Sequence, residues 1–204
     1  MHSSPLFISG IGTDVGKTIV SAIYMCGLQS NYWKPLQAGT EPETDTQCVQ
    51  RLTGLPANRF IPEYRVLKTP ASPHWAAELE GIVIDPNAIQ IPESDRPLLI
   101  EGAGGVLVPI HPQYVFADWI QARKLPVLLV SKNYLGSINH TLMTIEVLRN
   151  RNIPIVGLVF SGAENPSSEK VIEQYGGVLI RGHIPFEPNM TPEWIQTAYQ
   201  KYIS

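Results

Sequence analysis

Three near-continuous apolar runs constrain this chain more than any other feature: residues 97–101 (PLLIE), 126–131 (PVLLVS) and 153–160 (IPIVGLVF). A run with no polar alternation must be covered on both faces, which is the habit of parallel strands. Helix-like stretches separate them, at 116–123 and 137–150. Residues 166–175, 177–182 and 191–202 read as helix, strand and helix. Nearer the N-terminus, 5–9 reads as a strand and 17–29 as a helix ending near Gly27. Then come a strand at 31–38 and a short helix at 44–52, closed by Gly54 and Pro56. Residues 55–73 look irregular, with a short strand at 64–67. A helix starts at Pro73 behind Ser72, and 81–96 is a polar link. Repeated strand–helix units predict an α/β fold, a mostly parallel sheet with helices on both faces, in one domain over 1–204.

Composition narrows the function classes. Hydrophobic residues make up 44% and charged residues 16% of 204, so a folded core is expected and disorder is not. Net charge is −3 with no Lys/Arg run, which argues against nucleic acid as a partner. No stretch approaches the ~18 apolar residues of a membrane span. The opening MHSSPLFISG has no basic region and only a short apolar run, so no membrane partner and a cytoplasmic location are expected. The two cysteines, Cys26 and Cys48, form no CxxC or Cys/His pattern and read as reduced thiols.

The first strand runs straight into Gly10-Ile-Gly-Thr-Asp-Val-Gly-Lys-Thr18. Glycines let backbone N–H groups turn inward around phosphate oxygens, and the helix start adds its positive dipole end. Lys17 can reach the β- and γ-phosphates, and the Thr18 hydroxyl can hold Mg²⁺. The spacing departs from G-x-x-x-x-G-K-[ST]: Ile11 stands where glycine is wanted, and glycines flank it at 10 and 12. The loop is one residue longer, which points to a subgroup of phosphate-binding loops.

The other polar groups fall at the carboxyl ends of strands, where ligands gather in such sheets. Glu101, with Gly102, Ala103 and Gly104 behind it, is placed to face Thr18 and share Mg²⁺. Asp45 is either a helix N-cap or an oxygen ligand of the same metal. Lys34 interrupts an apolar strand. It is either a snorkelling edge lysine or a second cation over the γ-phosphate. Gly136, Ser137, Ile138 and Asn139 open a helix whose free N–H groups suit a carboxylate, ordinary capping being the alternative. His74, His140 and His183 show no nucleophile or metal pattern and read as structural.

Together these segments resemble the dethiobiotin synthetase family. The likeness runs in order through GIGTDVGKT, KPLQAG (34–39), TDT (44–46), SPH (72–74), EGAGG (101–105), FADW (116–119), LGSINH (135–140) and HIPF (183–186). It covers nearly the whole chain, and the longer loop matches the family's count. The resemblance implies a P-loop fold and an ATP- and Mg²⁺-dependent ligase. Its substrates would be 7,8-diaminononanoate and CO₂ or bicarbonate, and its product dethiobiotin. It implies nucleotide contacts from Thr13, Asp14, Val15, Gly16, Lys17, Thr18 and Ile19. Further contacts are implied from Asp45, Glu101, Gly102, Ala103, Gly104, Ser161, Gly162, Pro185 and Phe186. Thr18, Asp45 and Glu101 would gather Mg²⁺, and Lys17 and Lys34 would be catalytic. The family is homodimeric, so Ala38 would meet the diamine from one subunit and Gly136 to Asn139 its carboxylate tail from the other.

Two positions depart from the family pattern. Ala38 replaces a Ser or Thr, removing a hydroxyl from the substrate side. Ser161-Gly162 replaces an Asn-Asp pair near adenine, and Ser cannot offer the paired donor and acceptor of Asn. The base preference is therefore left open between ATP and other nucleoside triphosphates. Rival readings are a partition-type switch ATPase, a cobyrinate-type amide ligase and a nucleotide-binding relic. The first wants a lysine where Gly12 stands, the second a glutaminase domain for which 204 residues leave little room, and Ala38 is the best support for the third.

Overall fold

Leu6–Gly10 (β1) runs through the middle of a seven-stranded sheet, and its surroundings explain its apolar sequence. The computed structural model describes residues 4–203. Strand β1 pairs with Leu98–Gly105 (β6) on one side and Val127–Lys132 (β9) on the other. Beyond β6 lie Asn31–Trp33 (β2) and the edge strand Phe60–Ile61 (β4). Beyond β9 lie Ile155–Ser161 (β10) and Ile180–Ile184 (β11). Every pairing in this sheet is parallel, and the order is β11-β10-β9-β1-β6-β2-β4.

Alternate side chains of these strands feed different layers. Ile8, Leu99, Leu128 and Val159 pack under helices Lys17–Gly27 (α1), Asp45–Thr53 (α2) and Pro192–Tyr202 (α7). Phe7, Ile100, Leu129 and Leu158 pack on the opposite face. There they meet Pro73–Leu79 (α3), Phe116–Ala122 (α4), Ser137–Asn150 (α5) and Pro166–Gly176 (α6). Both faces are covered, which is why the runs are apolar throughout. Among the described residues no helix is long and apolar enough to cross a membrane.

The expected strand over 31–38 is two strands. Lys34-Pro35 breaks it, because Pro35 has no N–H for the ladder. Leu36–Ala38 (β3) leaves the main sheet and pairs with Arg65–Leu67 (β5) in a small parallel sheet. Glu101 was expected at the carboxyl end of a strand that stops there, but β6 continues through Gly105, so Glu101 stands inside it. The short edge strand β4 and the hairpin Pro109–His111 (β7) with Tyr114–Val115 (β8) had no sequence signal, since two or three residues carry no periodicity. The last strand lies at 180–184, slightly beyond the expected 177–182.

Candidate active site

The glycine-rich loop spans the gap from β1 to α1. Gly16 has φ +93°, and a methyl group there would collide with the Ser161 hydroxyl. Glycine is thus required on both conformational and steric grounds. No side chain caps α1, so its first N–H groups remain available to an anion. Asp14 also sits in the left-handed region, at φ 56°, which a short Asp tolerates better than most residues. Lys17 lies beneath the loop and donates to the Gly12 carbonyl at 2.9 Å. Burial pushes its ammonium below the ordinary lysine range, although Glu101 pulls the other way.

Three elements bring oxygens together beside this loop. The Thr18 hydroxyl lies 3.1 Å from Asp45 Oδ1 and 3.1 Å from Glu101 Oε1. One hydroxyl proton cannot serve both oxygens at once, so the carboxylates need a cation near them. Lys34 supplies it: its Nζ is 2.5 Å from Asp45 Oδ2 and 3.3 Å from Glu101 Oε1. It also donates to the Gly102 carbonyl at 3.3 Å. The snorkelling alternative is therefore set aside, because Lys34 is 2% exposed. The register explains the meeting: Trp33 pairs with Ile100, which brings Lys34 level with Glu101. Burial works against the Lys34 charge, but Glu101 and Asp45 outweigh it and hold the ammonium above its usual range. Burial likewise opposes the Asp45 charge, and Lys34 outweighs it, leaving that carboxyl below its usual range.

Asp45 is not the N-cap of α2. Thr44 holds that position and forms a reciprocal capping box with Gln47, leaving the Asp45 carboxylate free to turn inward. Two supporting residues were missed from the sequence. Gln37 accepts from the Asp45 backbone N–H at 3.1 Å and donates to the Gly39 carbonyl at 2.7 Å. The Tyr32 hydroxyl donates to Glu101 Oε2 at 3.0 Å. Gln37 sits in a strand where a polar side chain is out of pattern, which is the available signal; Tyr32 offers none, because a tyrosine in a strand reads as core.

A cleft of about 670 Å³ opens above these groups. Thr13, Asp14, Gly16, Lys17, Thr18, Ile19, Lys34, Ala38, Asp45, Glu101, Ala103 and Gly104 border it. Pro70 to Pro73 form a further wall, of which the sequence marks only Ser72 and Pro73, in SPH (72–74). Val15 is buried beneath the loop, so only its backbone can face a ligand. Gly102 contributes its carbonyl, and a methyl there would meet the Phe7 ring at 2.7 Å. Ser161 touches Gly16 from behind the loop, and Gly162 follows it. Pro185 and the exposed Phe186 lie just after β11. Gly136, Ser137, Ile138 and Asn139 do not border this cleft; they open α5, where Gly136 is the N-cap at φ 103°. The Ser137 hydroxyl accepts from the Tyr134 N–H at 3.3 Å.

The histidines are less isolated than their sequence context suggests. His74 Nδ1 is 3.0 Å from the Ser72 hydroxyl, at the cleft wall, so Ser72 holds the N-cap position of α3 as expected but turns its hydroxyl to the imidazole and not to the helix N–H groups. His183 donates through Nε2 to the Gly162 carbonyl at 2.9 Å, and its Nδ1 lies 3.2 Å from Glu169.

Among the described residues no three His, Cys, Asp or Glu side chains gather as a metal cluster. Two carboxylates and one hydroxyl do converge, an all-oxygen set that leaves room for water and phosphate oxygens. That set fits Mg²⁺, which prefers few protein ligands and dehydrates reluctantly.

The fold and this loop define a P-loop nucleotide-binding protein. A family model described as an AAA domain matches residues 4–194. Among solved structures, a ParA family ATPase from Chlorobium tepidum superposes with a TM-score of 0.57 at 13% identity, covering 98% of this chain and 90% of that one. MinD from Aquifex aeolicus gives 0.53 at 16%, covering 95% and 86%. These show the fold alone. Sequence relatives are much nearer. The ATP-dependent dethiobiotin synthetase BioD of Afipia carboxidovorans is 46% identical over 97% of this chain and 94% of that protein. The protein of the same name from Agrobacterium fabrum is 45% identical over 97% and 93%. The chain belongs to the ATP-dependent dethiobiotin synthetase family.

Proposed function

We propose that the cleft joins CO₂ to 7,8-diaminononanoate with ATP and closes the ureido ring of dethiobiotin. By family membership the chain is an ATP-dependent ligase of biotin synthesis that forms C–N bonds. The observation that carries the detailed reading is the meeting of Lys17, Lys34, Thr18, Asp45 and Glu101 at one helix N-terminus.

One substrate amine captures CO₂ as a carbamate and loses a proton. A carbamate oxygen attacks the γ-phosphorus, the bond to ADP breaks, and a carbamic-phosphoric anhydride forms. The second amine attacks its carbonyl carbon and phosphate leaves. Lys17 reaches the β- and γ-phosphates, and the open N–H groups of α1 take further oxygens. Lys34 neutralises charge that grows during transfer, where a desolvated cation counts most. Thr18, Asp45 and Glu101 would hold Mg²⁺, which when bound draws charge from the phosphates. Holding both amines beside one phosphorus makes ring closure intramolecular, a large entropic gain.

Ala38 borders the place given to the diamine with its backbone and methyl group. Ser161, Gly162, Pro185 and Phe186 flank the base, and other triphosphates are accepted with ATP. The chain works as a homodimer in the cytoplasm, with Gly136 to Asn139 of one copy receiving the carboxylate tail bound at the other. The test supplies purified protein with the diamine, bicarbonate, Mg²⁺ and ATP. Diamine-dependent phosphate release with a ureido product supports the reading. Release without the diamine would instead favour a switch ATPase.

A further inference from the structure

Tyr32 lies outside the cleft, wholly buried on β2, and has no part in the chemistry above. Yet its hydroxyl donates to Glu101 Oε2 at 3.0 Å. No other hydrogen bond reaches that oxygen among the described residues. The second oxygen, Oε1, has separate partners: Thr18 at 3.1 Å and Lys34 at 3.3 Å. The carboxylate is thus divided, one oxygen for the core and one for the site.

The sheet fixes this division. Tyr32 pairs with Leu99 on one side and Phe60 on the other. Glu101 stands two residues beyond Leu99 and so points to the same face, within diagonal reach of the tyrosine. The Phe60 ring packs against that of Tyr32 at 6.1 Å between centroids, which restrains the ring.

We propose that Tyr32 is a positioning residue for Glu101: it ties down one carboxylate oxygen and leaves a single oxygen aimed at the metal-nucleotide. The inference rests on the reading of Glu101 as a metal ligand. Partners of metal ligands typically change metal affinity about 10–100-fold when removed. Tyr32→Phe keeps the ring and its packing but frees Oε2 to turn.

The test is Mn²⁺ binding, followed by electron paramagnetic resonance, to protein saturated with a non-hydrolysable ATP analogue. Wild type, Tyr32→Phe, Glu101→Gln and the double variant are compared. Tyr32→Phe should weaken Mn²⁺ at least tenfold and leave the analogue's metal-free affinity within twofold. It should add nothing in the Glu101→Gln background. Weak binding by Glu101→Gln beside normal binding by Tyr32→Phe overturns the positioning role alone, and additive losses do the same. Normal binding by Glu101→Gln removes the metal reading and this inference with it. Should Tyr32→Phe not fold, 4-fluorophenylalanine at position 32 keeps the ring and fills the hydroxyl's place without a donor; wild-type Mn²⁺ affinity would then overturn the proposal.

Discussion

The Lys34 ammonium and the Asp45 carboxylate lie 2.5 Å apart at the floor of the cleft, with Glu101 Oε1 3.3 Å from the same nitrogen. The sequence reading explained a buried lysine by an incoming phosphate. The protein supplies anionic partners of its own. These two carboxylates also complete the oxygen set that fits Mg²⁺, so Lys34 and a metal ion would share the same negative charges. Ligand binding can then redistribute cations among oxygens already in place.

Lys34→Ala should lower turnover by about 10²-fold or more, as loss of a transition-state donor does. The affinity for ATP should change by less than threefold, because Lys17 and the α1 N–H groups remain. Steady-state kinetics with separately measured nucleotide binding checks this. Normal turnover in the variant would remove Lys34 from the chemistry.

Lys34→Met leaves two carboxylates beside one hydroxyl without their paired cation, Lys17 being the charge that remains nearby. Breaking a buried pair costs about 3–5 kcal/mol when both partners are enclosed. The Asp45 side chain is 35% exposed, so a smaller loss, about 1–3 kcal/mol, is expected in urea unfolding. Millimolar Mg²⁺ should restore part of it, since an ion that binds only the folded state stabilises it. A variant indifferent to Mg²⁺ would argue against a metal at Asp45 and Glu101.

The sheet was legible because strands β1, β9 and β10 are buried on both faces, and the loop because Gly16, Lys17 and Thr18 follow a strand directly. Lys34 was noticed as a charge in an apolar run, but its partners depend on register between strands far apart in the chain. Pro35 fits a strand on sequence alone, yet the ladder breaks there, and Gln37 on β3 accepts from the Asp45 backbone. Tyr32 was invisible as a site residue because a tyrosine in a strand looks like core until its hydroxyl is followed to Glu101.

Burial, then the neighbouring Glu43 charge, push the Cys48 thiol from 9.0 up to about 11. At pH 8 only about 0.1% is thiolate, against about 9% for a free thiol titrating at 9.0. Alkylation of Cys48 followed by mass spectrometry should therefore run about 100-fold slower than that of a model thiol. The linkage sign follows. The unfolded chain releases this proton first, so stability is lost as pH climbs from 9.0 towards 11. Fast labelling at pH 8 would contradict the assigned environment.

Ser161 is turned against Gly16, and Gly162 has no side chain to aim at a base. A pocket that hydrogen-bonds its substrate's edge rejects analogues by 10⁴–10⁵. This one has no paired amide at these positions. GTP and CTP should support dethiobiotin formation with kcat/KM within about tenfold of ATP. A preference for ATP above about 10³ would mean that other residues read the base.

The proposed tail cradle at Gly136 to Asn139 does not border the cleft of its own chain, so on the proposed reading a complete site would take two copies. Asn139→Lys should chiefly weaken the diamine, while Lys34→Ala disables the cleft. Mixing the two variants under exchange gives dimers in which one site joins an intact cleft to an intact cradle and the other has neither. With random pairing about half the dimers are mixed, each with one good site of two, so about a quarter of wild-type activity should return at low diamine. Rates that merely average those of the separate variants would place the cradle and the cleft in the same subunit, or remove 136–139 from the site.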